Sequence, residues 1–414
     1  MRRIIDLQEE EMARLPRSYL VDTEVLALKH SRKFEIEPAS VLNDYTFGLR
    51  SRGWVGSIPI GDNLLIRVRP KVPIANLFGM LEVAYNLRSF RLFDGDIQVE
   101  SLDDIYERVV SILARRVLDR ARKGLYCGYV SEDDELPYVR GSIDVVNAAL
   151  NAKRGIPSVP CRYEEHTADL DENRILHWTL HAVRRPALRR AQVRRELDRA
   201  RRALAGTVAL RQFSPADCVN RLYHRLNDDY APMHGLCRFI LEQTGPTVQS
   251  GDRSFIPFEL DMPNLFEAFV AEWLRVNGPP EVMVRPQHRA QLDANFQIHI
   301  HVDILLREEA SGRPIAVLDT KYKLAERPSD DDIYQISFYA RELQANRAIL
   351  VYPTLLAAPF RMVHGKDIRV ESLPFDVGAP LGASGPAFVN ALRASLSTPN
   401  EVQERPTDRP PRRR

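Results

Sequence analysis

The stretch "HVDILLREEASGRPIAVLDTKYK", His301 to Lys323, constrains this chain more than any other. Two short apolar runs flank the turn "EEASGRP", which is the pattern of a strand pair. Each run also carries an aspartate, Asp303 and Asp319, with Lys321 two positions further on. An unpaired charge in a buried strand is costly, so such a sequence survives only where the charges compensate one another or bind something. With a two-residue period, Phe296, Ile298, Ile300 and Val302 share one face and Gln297, His299, His301 and Asp303 the other. Asp319 and Lys321 likewise share a face, so pairing of the two strands makes all three charged groups converge.

Two carboxylates a few ångströms apart repel each other unless a divalent cation neutralises them, and oxygen ligands favour Mg²⁺. A lysine beside them can hold or deprotonate an attacking water and offset charge on a phosphate. Metal-assisted phosphodiester hydrolysis suits that arrangement. In "NLFEAFVAEWL", Asn264 can cap a helix with a broad apolar arc and Glu267 at its edge. "PSDDDIYQISFYARELQ" opens on Ser329 and a run of acids, a helix start, and places Gln335 and Tyr339 on one face at i, i+4.

A lone D-x-K is most often a surface salt bridge. An acid on a helix, an aspartate at a strand end, D-x-K on a second strand and Q-x-x-x-Y on a helix, in that order, resembles the PD-(D/E)XK nuclease superfamily, particularly its RecB-like branch. Val302 stands where the superfamily's proline would, at a position that shapes a turn and binds no metal. The resemblance implies that Asp303 and Asp319 hold Mg²⁺, with Mn²⁺ able to substitute. The Thr320 carbonyl would be a further ligand and Glu267 a direct or water-mediated one. Lys321 would position the water and stabilise the transition state, and Gln335 and Tyr339 would organise the lysine or DNA. His299, His301 and Asp303 also spell H-x-H-x-D, a zinc pattern of amidohydrolases, but only His364 follows to complete it. His301 is then expected to face DNA or to support the site.

At 414 residues the chain is long enough for two or three domains. The expected fold class is multidomain α+β. Residues 1–100 read as a β-rich domain, 101–250 as a mainly helical middle and 251–380 as an α/β PD-(D/E)XK (restriction-endonuclease-like) unit running helix, strand, strand, helix, strand. The remainder, 381–414, reads as a largely disordered extension, ending in "STPNEVQERPTDRPPRRR". The net charge of +2 excludes no partner, and four scattered cysteines without a CxxC pair fit a reducing cytoplasm. No apolar run approaches a membrane span.

Beyond the catalytic unit, "GSIPIGDNLLIRVRPKVPIANLFGML", "RKGLYCGYVSEDDELPYVRGSIDV", "EEHTADLDENRILHWTL" and "YQISFYARELQANRAILVYP" together resemble the McrC family, the nuclease subunit of modification-dependent McrBC restriction systems. That resemblance implies a McrB-like partner, a hexameric AAA+ NTPase driven by GTP or ATP, which recognises modified double-stranded DNA while the McrC-type chain cuts it. No G-x-x-x-x-G-K-[ST] loop occurs here, so this chain is expected to bind no nucleotide itself. "RVRPKVPIANLF", with Arg67, Arg69 and Lys71, is the candidate motor-facing segment. The stretch Asn173 to Leu204 reads as one arginine-rich helix kinked at Pro186, open to DNA or merely solvated. Arg140 and Arg174 are expected to bridge Asp144 or Glu172. The alternatives are a stand-alone RecB-like repair nuclease, a non-enzymatic activator of the motor and the zinc hydrolase.

Overall fold

The computed structural model describes residues 3–38, 46–61, 63–85, 102–183, 188–243, 258–291, 299–323, 325–364 and 368–397. The N-terminal part holds β1 (Arg3–Gln8), β2 (Ala13–Pro16), α1 (Asp22–Ser31), β3 (Phe34–Glu37), β4 (Thr46–Ser51), β5 (Trp54–Ile60), β6 (Leu64–Arg69) and α2 (Ile74–Ala84). The middle holds α3 (Leu102–Lys123), β7 (Gly128–Leu136), β8 (Ser142–Ile143), α4 (Val145–Lys153), β9 (Val159–Thr167), α5 (Asp171–Ala182), α6 (Ala191–Leu204) and α7 (Tyr230–Gln243). The C-terminal part holds β10 (Glu259–Asp261), α8 (Met262–Asn277), β11 (Val282–Gln291), β12 (His299–Glu308), β13 (Pro314–Thr320), α9 (Asp330–Glu342), β14 (Arg347–Tyr352), β15 (Arg361–His364), β16 (Ile368–Pro374) and α10 (Leu381–Ser397).

Met1–Leu102 and Pro257–Arg414 form one compact unit and Asp103–Ile256 another. The first hundred residues are therefore joined to the C-terminal α/β region and do not stand apart from it. The physical link is β10, which pairs antiparallel with β5 and completes a sheet of order β1-β6-β5-β10. Gly56 permits this closure. At φ +112° it occupies a conformation open to glycine, and a Cβ there would lie 2.0 Å from the Phe258 carbonyl oxygen. Asn76 of α2 adds hydrogen bonds to the Val377 and Ala379 carbonyls at 2.9 and 3.0 Å.

The six-stranded sheet runs β11-β12-β13-β14-β16-β15. It contains a strand, β11, that the sequence pattern does not reveal, because "VMVRPQHRAQ" has a proline and no clean alternation; it is held by pairing with β12. Helix α8 begins at Met262 with Asp261 as its cap, not Asn264. The Asp261 carboxylate accepts from the Asn264 amide N–H at 3.2 Å and from Asn264 Nδ2 at 2.8 Å. Phe266 and Phe269 on its inner face are fully buried, each contributing about 2–3 kcal/mol of transfer free energy. Phe375 packs against Phe269 and Phe388 with centroids 4.7 Å away in both cases.

Phe388 belongs to α10, so the expected disorder does not begin at 381. Phe388 and Leu392 are buried, Gly385 lies so close under the Trp273 ring that a Cβ would collide with it, and Ser395 bonds the buried Glu371. The sequence reading missed this helix because Gly382, Gly385 and Pro386 obscure its apolar stripe. Residues 398–414, half of the expected extension, lie outside the described residues.

In the second unit β7, β9 and β8 form a sheet beside α3 to α7. The arginine-rich stretch is two helices, with Pro186 outside the described residues. Several of its arginines have structural work: Arg201 donates to the Leu180, His181 and Val183 carbonyls at the end of α5, and Arg190 pairs with Asp104 at 2.9 Å. Arg174 pairs with Asp169 and Asp171, Arg140 with Glu165, and Asp144 caps α4. The expected bridges to Asp144 and Glu172 do not form, because the capping role occupies Asp144 and Arg221 lies against Glu172 at 3.5 Å.

Candidate active site

Strands β12 and β13 pair antiparallel with Ile304 opposite Leu318 and Leu305 opposite Val317. The next residues in that register are Asp303 and Asp319, just beyond the last paired position. Asp319 is held inside the sheet by parallel pairing of β13 with β14, and only 4% of its surface is exposed. The Thr320 N–H and hydroxyl both donate to Asp303 Oδ2, at 2.7 and 2.8 Å. This clamp fixes one carboxylate against the strand that carries the other.

Lys321 Nζ lies 2.6 Å from Asp319 Oδ2. The ammonium is that buried oxygen's charged partner and favours the Asp319 anion. Nζ donates to Gln335 Oε1 at 3.1 Å, and Gln335 Nε2 donates to the Tyr339 hydroxyl at 2.9 Å. The i, i+4 amide and phenol of α9 thus orient the lysine, as their spacing suggests. Asp332 adds a charge 3.6 Å from Nζ and pairs with Lys323 at 2.5 Å.

Burial pushes the Asp319 carboxyl up to about 6, the Asp303 charge pushes the same way, and Lys321 opposes both. Burial works against a charged Lys321, but the carboxylates of Asp319, Asp332 and Asp303 outweigh it and hold the ammonium above its ordinary range. Burial also disfavours the Asp332 anion, yet hydrogen bonds from Lys323 and Ser329 and the lysine charges keep that carboxyl low. Lys321 is therefore a cation here, suited to orienting water and stabilising charge rather than to taking a proton.

Glu267, half-buried on α8, is pushed up to about 7 by burial and by the Asp303 charge, while a hydrogen bond from Gln287 opposes the shift. Gln287 stands opposite Asp303 on β11, has φ +46° and interrupts the strand ladder between the pairs Pro286–Ile304 and His288–Val302. A non-glycine residue in that conformation is strained. Sequence reading passed over Gln287, whose only signal was the preceding proline, and over Asp332 and Lys323. The sequence signals for the latter two are the acid run after Ser329 and the second lysine of "DTKYK".

The donor set fits a hard divalent cation. Two carboxylates lie side by side, one of them buried, and their mutual repulsion would be relieved by the ion. Among the described residues no group of three or more His, Cys, Asp and Glu is gathered closely enough to hold a metal. The ion would keep several waters, as Mg²⁺ does. His299 and His301 are exposed on β12 and join no such group.

The site rests on the N-terminal part of the same unit. Tyr322 follows Lys321 and packs on Phe266, the neighbour of Glu267, at 5.7 Å between centroids. Its hydroxyl donates to Glu9 at 3.4 Å, and Lys71 Nζ lies 4.1 Å over its ring while pairing with Glu10 at 2.7 Å. Burial pushes the Glu9 carboxyl up to about 7 against the Lys71 backbone hydrogen bond. Lys71 therefore belongs to this junction and is not available to a motor; of the three basic residues in that segment, Arg69 is the exposed one.

The family described as McrBC 5-methylcytosine restriction system component matches residues 49–353, well over half of the chain. The chain belongs to that family. Among solved structures, this McrBC-family chain is similar to one from an assembly of Thermococcus gammatolerans McrB AAA+ hexamers with bound McrC. The likeness has 17% identity and a TM-score of 0.53, and covers 95% of this chain and 100% of that one. A second likeness, to the cryo-EM structure of the Thermococcus gammatolerans McrBC complex, has 19% identity and a TM-score of 0.42 over 66% of this chain and 87% of that one. At these identities the first likeness speaks for the fold. Comparison with curated proteins gives no match. Among the described residues, no helix is long and apolar enough to cross a membrane.

Proposed function

We propose that this McrBC-family chain is the Mg²⁺-dependent DNA endonuclease subunit of its restriction system, with a catalytic domain of the PD-(D/E)XK class. The observation that carries the reading is the convergence of Asp303, Asp319 and Lys321 at the ends of β12 and β13, with Lys321 bonded to Gln335. The order of α8, three antiparallel strands, α9 and the parallel strand β14 supports it. The partner is a McrB-like hexameric AAA+ NTPase using GTP or ATP, and the substrate is double-stranded DNA with modified cytosine. The McrB AAA+ hexamers with bound McrC favour that partnership.

In this reading Asp303 and Asp319 would hold the cation, with the Thr320 carbonyl as a further ligand and Glu267 as a direct or water-mediated one. The ion, when bound, supplies Lewis acidity toward the scissile phosphate and a more acidic water. The Lys321 ammonium points the attacking water at phosphorus and offsets the charge that grows on the phosphoryl oxygens. Gln335 fixes the lysine rotamer, and Tyr339 fixes Gln335. Thr320 keeps the Asp303 carboxylate from rotating away.

The test is cleavage of methylated and unmethylated plasmid by this chain, with and without the AAA+ partner, Mg²⁺ or Mn²⁺, and GTP or ATP. Cutting that needs partner, nucleotide and metal and disappears in Asp319→Ala is the expected result. Equal cutting by the chain alone would instead make it a stand-alone repair nuclease, and no cutting under any condition would make it an activator of the motor.

A further inference from the structure

The pairing of β11 with β12 extends further than that of β12 with β13. The first runs from Val282–Glu308 to Gln291–His299, whereas the second stops at Ile304–Leu318. Residues 288–291 and 299–302 consequently overhang the sheet as a two-stranded ribbon leading directly into Asp303. One face of the ribbon is anchored, since Ile300 and Val302 are buried in the core with Ala290 packed against them. The other face carries Arg289 opposite His301 and Gln291 opposite His299, all four exposed. Arg285 and Gln287 continue the exposed polar run along β11.

No carboxylate stands across from Arg289 or Arg285, and neither arginine has an ion pair among the described residues. The β7–β9 ribbon of the same protein shows the ordinary arrangement, with Asp133 directly opposite Arg162 and paired to it at 2.7 Å. Cross-strand charges normally offset one another in this way. A ribbon that places a guanidinium opposite an imidazole, rigidly backed and aimed at two carboxylates, has charge to spare for an anion. Alternate residues on a strand are about 6.8 Å apart, so the face presents a regular row of donors to an extended polyanion.

We propose that this face of the β11–β12 overhang is a track for the phosphodiester backbone of duplex DNA, with Arg289 and His301 holding the strand in line with Asp303. The proposal rests on the nuclease reading above. Phosphate contacts of this kind set register without reading sequence, which leaves base recognition to another surface.

The experiment uses the assembled complex with its AAA+ partner in an Asp319→Asn background, with a photo-crosslinking residue at position 289, 301 or, as control, the exposed Leu26 of α1. Crosslinks to DNA from 289 and 301 but not from 26 are expected. Crosslinks to the partner protein, or none, would overturn the track. In the cutting-competent complex, Arg289→Ala should raise KM for DNA roughly five- to tenfold and flatten the logarithmic salt dependence of kcat/KM by about one, and Arg289→Lys should restore most of both. An unchanged KM and salt slope would overturn the proposal. Failure of the nuclease reading is seen separately, as absence of cutting by the wild-type complex or cutting that survives Asp319→Ala.

Discussion

Two buried polar centres in this molecule have opposite characters. In the second unit, Asn173 is wholly buried and fully satisfied: its Nδ2 donates to the Tyr126 and Ala168 carbonyls at 2.8 and 2.7 Å, and its Oδ1 accepts from the Tyr230 hydroxyl at 2.6 Å. His234 beside it accepts from the Tyr223 hydroxyl at 2.7 Å and donates to the Glu172 carbonyl at 3.0 Å. The hydrogen-bond partners of Asn173 and His234 there are all neutral. The Asp303, Asp319 and Lys321 centre instead brings like charges together, buries one of the carboxylates and holds Gln287 at a positive φ. A network of neutral, satisfied groups fixes a fold, whereas like charges crowded together under burial hold free energy that a cation can release.

The largest effect should come from breaking the second centre. Asp319→Ala is expected to reduce partner-dependent DNA cleavage by about a thousandfold or more, while the circular dichroism melt shows no loss of stability. A variant that cuts normally, or that unfolds, would erase the contrast. Asn173→Ala should do the reverse. Three buried hydrogen bonds are lost, so denaturant unfolding should show a loss of about 3 kcal/mol, with cleavage per folded molecule unchanged.

The two centres also predict pH dependences of opposite sign. Burial lowers the His234 imidazole to about 4, so between its ordinary 6.5 and that value the unfolded chain binds more protons than the folded one. Stability should fall as pH drops through this window, by on the order of 3 kcal/mol. Asp319 has its folded value raised from 3.8 to about 6, so the folded chain binds more protons between these values and stability falls as pH rises. With chelator present, Asp319→Asn should therefore stabilise the protein by about 1–3 kcal/mol at pH 7, and the gain should vanish near pH 4. A stabilisation independent of pH would exclude charge as its cause.

Adding millimolar Mg²⁺ should raise the melting temperature of the wild-type chain by a few degrees, roughly as a bound ligand does, and leave Asp319→Asn unmoved; differential scanning fluorimetry decides it. The smallest effect should be that of Gln287→Ala. Removing the strained side chain should leave stability within about 1 kcal/mol and lower cleavage by less than Asp319→Ala does. A shift in the pH profile of cleavage would report the altered Glu267.

The local spacing of this chain determined a good deal by itself. Alternation put Asp303, Asp319 and Lys321 where strands would bring them together, and i, i+4 spacing put Gln335 beside Tyr339, because both are consequences of backbone geometry within a few residues. Ser329 was legible as a helix start because capping is local chemistry. Only the tertiary structure decided the rest. Strand β11 exists because β12 pairs with it, α10 because Phe388 and Gly385 dock against α8 and its neighbours, and the union of the first hundred residues with the C-terminal region because Gly56 lets β10 close on β5. Gln287, Asp332 and Glu9 acquire their roles from residues 9 to 313 positions away in sequence. Periodicity carries no record of such contacts, since they depend on which surfaces the folded chain brings together.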